Sequence, residues 1–127
     1  MTRLLDPRLF RQAFYAAAIF STVTALASPS EFGPRFPYSD KVQHFAVFAV
    51  LATLAWFGFT GAPRRLIVER LSFLGAAIEV LQSIPALHRD CDVLDWATDT
   101  AAAVVVVLLL AWLAPGRRIG RTPVEPG

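Results

Sequence analysis

Four apolar runs, at 13–27, 45–59, 71–81 and 97–113, constrain this chain more than any other feature. Extended into its flanks, each reaches the roughly 20 residues that a helix needs to cross a bilayer. Lipid offers backbone amides no outside partner, so such segments must be helices that bond within themselves. The second run carries no charge and the fourth only Asp99. The third is crowded at its ends by Glu69, Arg70, Glu79 and Gln82, and alone it would suit a buried helix of a soluble protein. Between two stronger spans it is expected to cross, because only then do both neighbouring loops fall on the side their charges require.

Those charges set the orientation. Arg3, Arg8 and Arg11 precede the first run, Arg64, Arg65 and Arg70 lie between the second and third, and Arg117, Arg118 and Arg121 follow the fourth. The positive-inside rule makes all three segments cytoplasmic. The expected fold is all-α, a four-helix transmembrane bundle with both termini inside (N-in/C-in), multi-pass in the inner (plasma) membrane. Residues 1–115 form one transmembrane domain, and 116–127 are expected to be a disordered cytoplasmic tail. Segments 28–41 and 85–92 then face outward. The loop between helices 1 and 2 holds three prolines and three aromatics within 28–39, and reads as an interfacial segment in the outer headgroup region. Gly61-Ala62-Pro63, Pro85 and Pro115-Gly116 punctuate the helices. Trp96 and Trp112 bracket the last run as interfacial anchors, and Trp56, Phe57 and Phe59 read as belt residues. A competing reading takes the arginine-rich start and Ala25-Leu26-Ala27 as a cleaved secretory leader; losing residues 1–27 would leave three spans of unchanged sidedness.

Composition closes off other classes. A net charge of +2, with no aromatic-interleaved basic face, excludes nucleic acid as a partner. The single cysteine, Cys91, excludes an internal disulfide and a thiolate-rich metal site.

Four ionisable patches interrupt the apolar chain: Asp40-Lys41-Val42-Gln43-His44, Glu79-Val80-Leu81-Gln82, Arg89-Asp90-Cys91-Asp92 and Asp95-Trp96-Ala97-Thr98-Asp99. A charge at membrane depth is disfavoured by roughly 2.5–3.5 kcal/mol, so such groups tend to be paired and functional. The topology brings all four patches to the outer ends of helices 2, 3 and 4. Lys41, His44, Phe48 and Leu51 share one helical face, as do Ser72, Gly75, Glu79 and Gln82, and likewise Asp92, Asp95, Asp99 and Ala102. Small Gly75 and Ala102 would let the helices approach beneath the polar layer. The candidate ligand-binding residues are Lys41, His44, Glu79, Gln82, Arg89, Asp92, Asp95 and Asp99, around an outward-opening pocket.

Each has a plainer reading. Glu79 could be neutralised by Arg89 or Lys41 merely to hold helices together; an acid–base role is the alternative. His44 could bond Asp40 one turn earlier, or serve with Glu79 as a catalytic candidate. Arg89 could anchor lipid phosphate, or recognise a ligand's phosphate bidentately. Asp92 and Asp95 could simply cap a helix. His44, Glu79 and Asp95 offer an imidazole-plus-carboxylate set suited to zinc or manganese. No HExxH or similar spacing exists, so spacing assigns neither metal nor cofactor.

The pattern Asp40-Lys41-x-x-His44-x-x-x-Phe48, then Glu79-x-x-Gln82, then Arg89-x-x-Asp92-x-x-Asp95 with a polar residue four further on, resembles the VanZ-like family of small bacterial membrane proteins over about residues 37–110. Asp99 stands where that family has Asn, and Ala102 where it has its first Gly. The resemblance implies a cell-envelope membrane protein, and the family is named for a protein linked to resistance to the glycopeptide teicoplanin. The expected function is binding of a phosphate- or sugar-bearing lipid-linked ligand, such as a cell-wall precursor, in the outer pocket. The alternatives are a membrane-embedded hydrolase or transferase on such a substrate, or a structural partner subunit of a membrane complex.

Overall fold

A computed structural model describes residues 6–27, 40–84 and 92–114. The 28–39 loop, Arg89, Cys91 and the 116–127 tail lie outside the described residues. Within them are four helices and no strand: α1 (Pro7–Leu26), α2 (Asp40–Gly58), α3 (Arg64–Gln82) and α4 (Val93–Leu113). Asp6 caps α1 by accepting the Arg8 amide at 2.9 Å, with Pro7 in the first turn, where its missing N–H leaves nothing unpaired. Asp92 caps α4 in the same way, accepting from the Leu94 amide at 2.9 Å. The four consecutive valines 104–107 slightly lower the helix propensity of α4, yet the helix runs through them unbroken.

Three of the helices, Pro7–Leu26, Lys41–Gly58 and Val93–Leu113, are long and apolar enough to cross a membrane. The third helix is not among them. Arg64, Arg65, Glu69 and Arg70 occupy its first two turns and Glu79 its last, leaving only a short uncharged stretch between.

Side-chain contacts fix how the helices run. Arg11 Nη1 at the start of α1 reaches Gly58 O at the end of α2 (3.4 Å), and Gln82 Nε2 at the end of α3 donates to Ala25 O at the end of α1 (2.9 Å). His44 near the start of α2 meets Asp99 near the start of α4. Consecutive helices are therefore antiparallel, and α2 lies parallel to α4. Phe48, Leu51, Trp56, Ile67, Leu71, Ile78 and Val107 fill the core. Ala52, Ala55, Ala102, Ala103 and Gly75 let the backbones close together. Gly75 and Ala102 are buried beneath the polar layer, as their spacing suggested.

Trp56 departs from its expected place in an interfacial belt. It is 1% exposed and packed in the core, because its face of α2 also carries the buried Ala52 and Ala55. Phe57 and Phe59 turn toward α1 instead of outward. Phe57 lies 5.2 Å from Phe10, and Phe59 meets Phe14 and Tyr15 edge-on at 5.4 and 6.0 Å.

Gly58 is required at the α1–α2 approach. A β-carbon there would stand 2.8 Å from the Arg11 amide nitrogen and 3.1 Å from the Phe10 carbonyl carbon, both rigid backbone. Gly58→Ala should therefore lose about 1–3 kcal/mol of stability in thermal unfolding of the detergent-purified protein. Gly61→Ala, with nothing within 4 Å, should stay within about 0.5 kcal/mol. Equal melting of the two variants would contradict the packing.

Candidate functional site

The polar patches do converge, at the end of the bundle where α2 and α4 begin and α3 ends. At the rim, the exposed Lys41 places Nζ 2.9 Å from Asp92 Oδ2 and 3.4 Å from Asp95 Oδ1. That ammonium and the Leu94 amide hold the Asp92 carboxyl below the usual carboxylate range. The contact therefore favours the folded state above the ordinary carboxylate pKa and fades as pH falls through the lowered one. Exposure keeps its contribution small.

One turn deeper, His44 sits between two carboxylates of α4. Its Nδ1 is 2.8 Å from Asp99 Oδ1 and its Nε2 is 3.7 Å from Asp95 Oδ2. Asp95 and Asp99 lie four residues apart on the inward stripe of α4, so one imidazole from α2 can bridge both. Asp99 is 0% exposed, Asp95 7% and Glu79 5%. Glu79 approaches from α3, where its Oε2 accepts the Asp92 amide at 2.9 Å. The exposed rim thus leads inward to one half-buried imidazole and three buried carboxylates.

Not every expected residue joins that group. Gln82 is buried, but its amide nitrogen turns to α1, and its Oε1 has no hydrogen-bond partner among the described residues. Asp92 proves to be the α4 cap. Arg89 falls outside the described residues. The tightest set of potential ligand atoms comes from His44, Glu79 and Asp99, one atom from each within 4.8 Å of the others. Asp99 takes the place of Asp95 in the imidazole-plus-carboxylate set weighed from the sequence, because it lies a turn further into the bundle beside Gly75.

A second polar contact between α3 and α4 was not foreseen. Ser72 Oγ lies 2.9 Å from Thr100 Oγ1, and Trp96 Nε1 donates to Ser72 O at 3.1 Å. Ser72 was visible on the Gly75–Glu79 face, and Thr100 follows Asp99; their pairing depends on which helix α3 meets, which spacing within one helix does not specify. Trp96 is accordingly pinned to α3, whereas Trp112 is 76% exposed.

The chain matches no family model, no curated protein and no solved structure. Chemically, the group can exchange protons at His44, attract cations to its carboxylates, and hold hydroxyl-rich groups at the Lys41–Asp92 rim.

Proposed function

We propose that this is a four-span integral membrane protein of the plasma membrane, both termini cytoplasmic, that binds the headgroup of a phosphate- or sugar-bearing lipid-linked ligand at the outer end of α2–α4. The observation that carries the reading is the fully buried Asp99 paired with half-buried His44 and ringed by Glu79, Asp95 and Lys41, in a bundle whose described helices expose many large apolar side chains. Such a burial pattern is inverted relative to a water-soluble domain. The later turns of the third helix share the inversion: Glu79 and Gln82 are inside, while Phe73 is 74% exposed and Val80 also faces out. That inversion supports α3 as the fourth span despite its charged ends. The likeness to the VanZ-like family supports an envelope role.

A second reading, a hydrolase or transferase on the same ligand, draws on one distance. With Asp99 as acceptor 2.8 Å from Nδ1, the ring is held with Nε2 toward Asp95, 3.7 Å from its Oδ2, where it can take a proton.

Lipid mass spectrometry of the detergent-purified protein tests the binding reading. A phosphate- or sugar-bearing lipid should be enriched about tenfold over bulk membrane, the equivalent of ~1.4 kcal/mol of preference. Bulk lipid composition on the purified protein would sink it. Glu79→Gln separates the readings: a binder loses the lipid, whereas an enzyme keeps its substrate and loses turnover. Sidedness is checked at Cys91, which should react with a membrane-impermeant maleimide added from outside once any outer barrier is permeabilised. Labelling only after the cytoplasm is opened would invert the topology.

A further inference from the structure

The described polar layer contains more acid than base. Glu79, Asp92, Asp95 and Asp99 face Lys41 and His44, and the Lys41 ammonium reaches Asp92 and Asp95 rather than Asp99. Asp99 is fully buried, and its Oδ2 has no hydrogen-bond partner among the described residues. That oxygen points at α3, where a β-carbon at Gly75 would lie only 2.9 Å from it. Gly75 sits one turn before Glu79, so the orphan oxygen is aimed at the helix that supplies the second carboxylate. Gln82 Oε1, on the same face of α3, is another buried oxygen without a donor. Both orphan atoms are acceptors, and a buried acceptor calls for a proton donor or a cation.

We propose that His44, Glu79 and Asp99 bind one divalent transition-metal ion, Mn²⁺ or Zn²⁺, at the buried base of the polar layer. Their ligand atoms already lie within 4.8 Å of one another. Bonds of about 2.0–2.2 Å place neighbouring ligand atoms a little over 3 Å apart, a closure that side-chain rotation supplies. One imidazole with two carboxylates is a borderline-to-hard donor set, suited to Zn²⁺ or Mn²⁺ and poorly suited to Cu⁺. Two positive charges offset both buried carboxylates, which His44 alone does not. The ion also answers how an acidic site holds a phosphate: the metal bridges carboxylates to a phosphate oxygen. That bridging role rests on the headgroup reading; the ion site does not.

The full chain, purified in detergent and stripped with EDTA, is titrated with Mn²⁺ and followed by electron paramagnetic resonance, with Zn²⁺ in competition. About one Mn²⁺ per chain is expected, displaced by Zn²⁺. Pulsed measurements on the wild-type protein should show a nitrogen-14 coupling from an imidazole. The coupling should vanish in His44→Gln and persist in His88→Gln, the only other histidine. Asp99→Asn should weaken binding by more than the 10- to 100-fold (about that range) typical of outer-shell losses, while Glu69→Gln, an exposed carboxylate at the opposite end, binds as wild type. Substoichiometric binding, or a wild-type signal without imidazole nitrogen, overturns the site even if the variants do not fold.

A last arm adds polyprenyl phosphate or inorganic phosphate to the Mn²⁺-loaded protein. Broadening of the lipid phosphorus-31 signal alone supports the bridge to a lipid headgroup. Broadening by inorganic phosphate alone, or by neither, leaves the metal site standing and overturns the bridge.

Discussion

His44→Ala should destabilise the protein by about 3–5 kcal/mol, the largest loss expected from any single change in the polar layer. Asp99 is 0% exposed and its Oδ1 lies 2.8 Å from His44 Nδ1, so removing the imidazole leaves a deeply placed carboxylate without the partner that offsets its charge. Truncating His44 also uncovers Asp95, whose Oδ2 faces Nε2 at 3.7 Å. Replacing both partners, as His44→Leu with Asp99→Leu, should recover most of that loss, because no unpaired charge then remains inside. A double-mutant cycle on EDTA-treated protein measures this without contribution from a bound ion. A coupling below about 0.5 kcal/mol would show that the pair does not hold the bundle. The stable double variant then serves a further purpose. If it folds but keeps no ligand, the charges are present for chemistry and not for assembly.

How much of this was legible in the sequence differs by kind of information. The four helices were, three of them because apolar runs of spanning length admit one backbone solution. The convergence of the patches followed from alternating helix direction, which requires only that Lys41 and His44 start one helix, Glu79 end the next and Asp95 start the last. Pair identity was harder. His44 might by spacing have bonded Asp40, yet it meets Asp99, 55 positions away. Periodicity tells which residues share a face and leaves open which helix that face meets. Gln82 shows the same gap: its face was right, and its amide nitrogen went to α1. Glu79 and Asp99 share a site because Gly75 lets α3 approach α4 closely enough for an added β-carbon to lie 2.9 Å from Asp99 Oδ2. Gly75 was noticed for its size, but its specific neighbour is a property of the packed pair. Ser72 and Thr100 were each ordinary polar residues until the helices met.

Trp56 separates the structure from its sequence reading most sharply. As a belt residue it would project into the headgroup region, and its loss would be nearly silent. In the fold it is 1% exposed among the core side chains of α2, α3 and α4. Trp56→Ala should therefore cost about 3 kcal/mol, the low end of the 3–5 kcal/mol range for buried aromatic truncations. On the proposed membrane reading the low end is expected, because helices in lipid associate without a hydrophobic driving force, so what is lost is packing and not transfer from water. The cavity term survives in either solvent, since the core around Trp56, with only Ala52 and Ala55 beside it on the buried face of α2, relaxes only partly into the space. Trp112→Ala is the internal control: at 76% exposure it should shift stability by less than about 0.5 kcal/mol. Thermal unfolding of both variants in one detergent decides the matter. Equal and small losses would return Trp56 to the interface, and with it the facing of α2 that brings His44 to Asp99, because both residues depend on the same rotation of that helix.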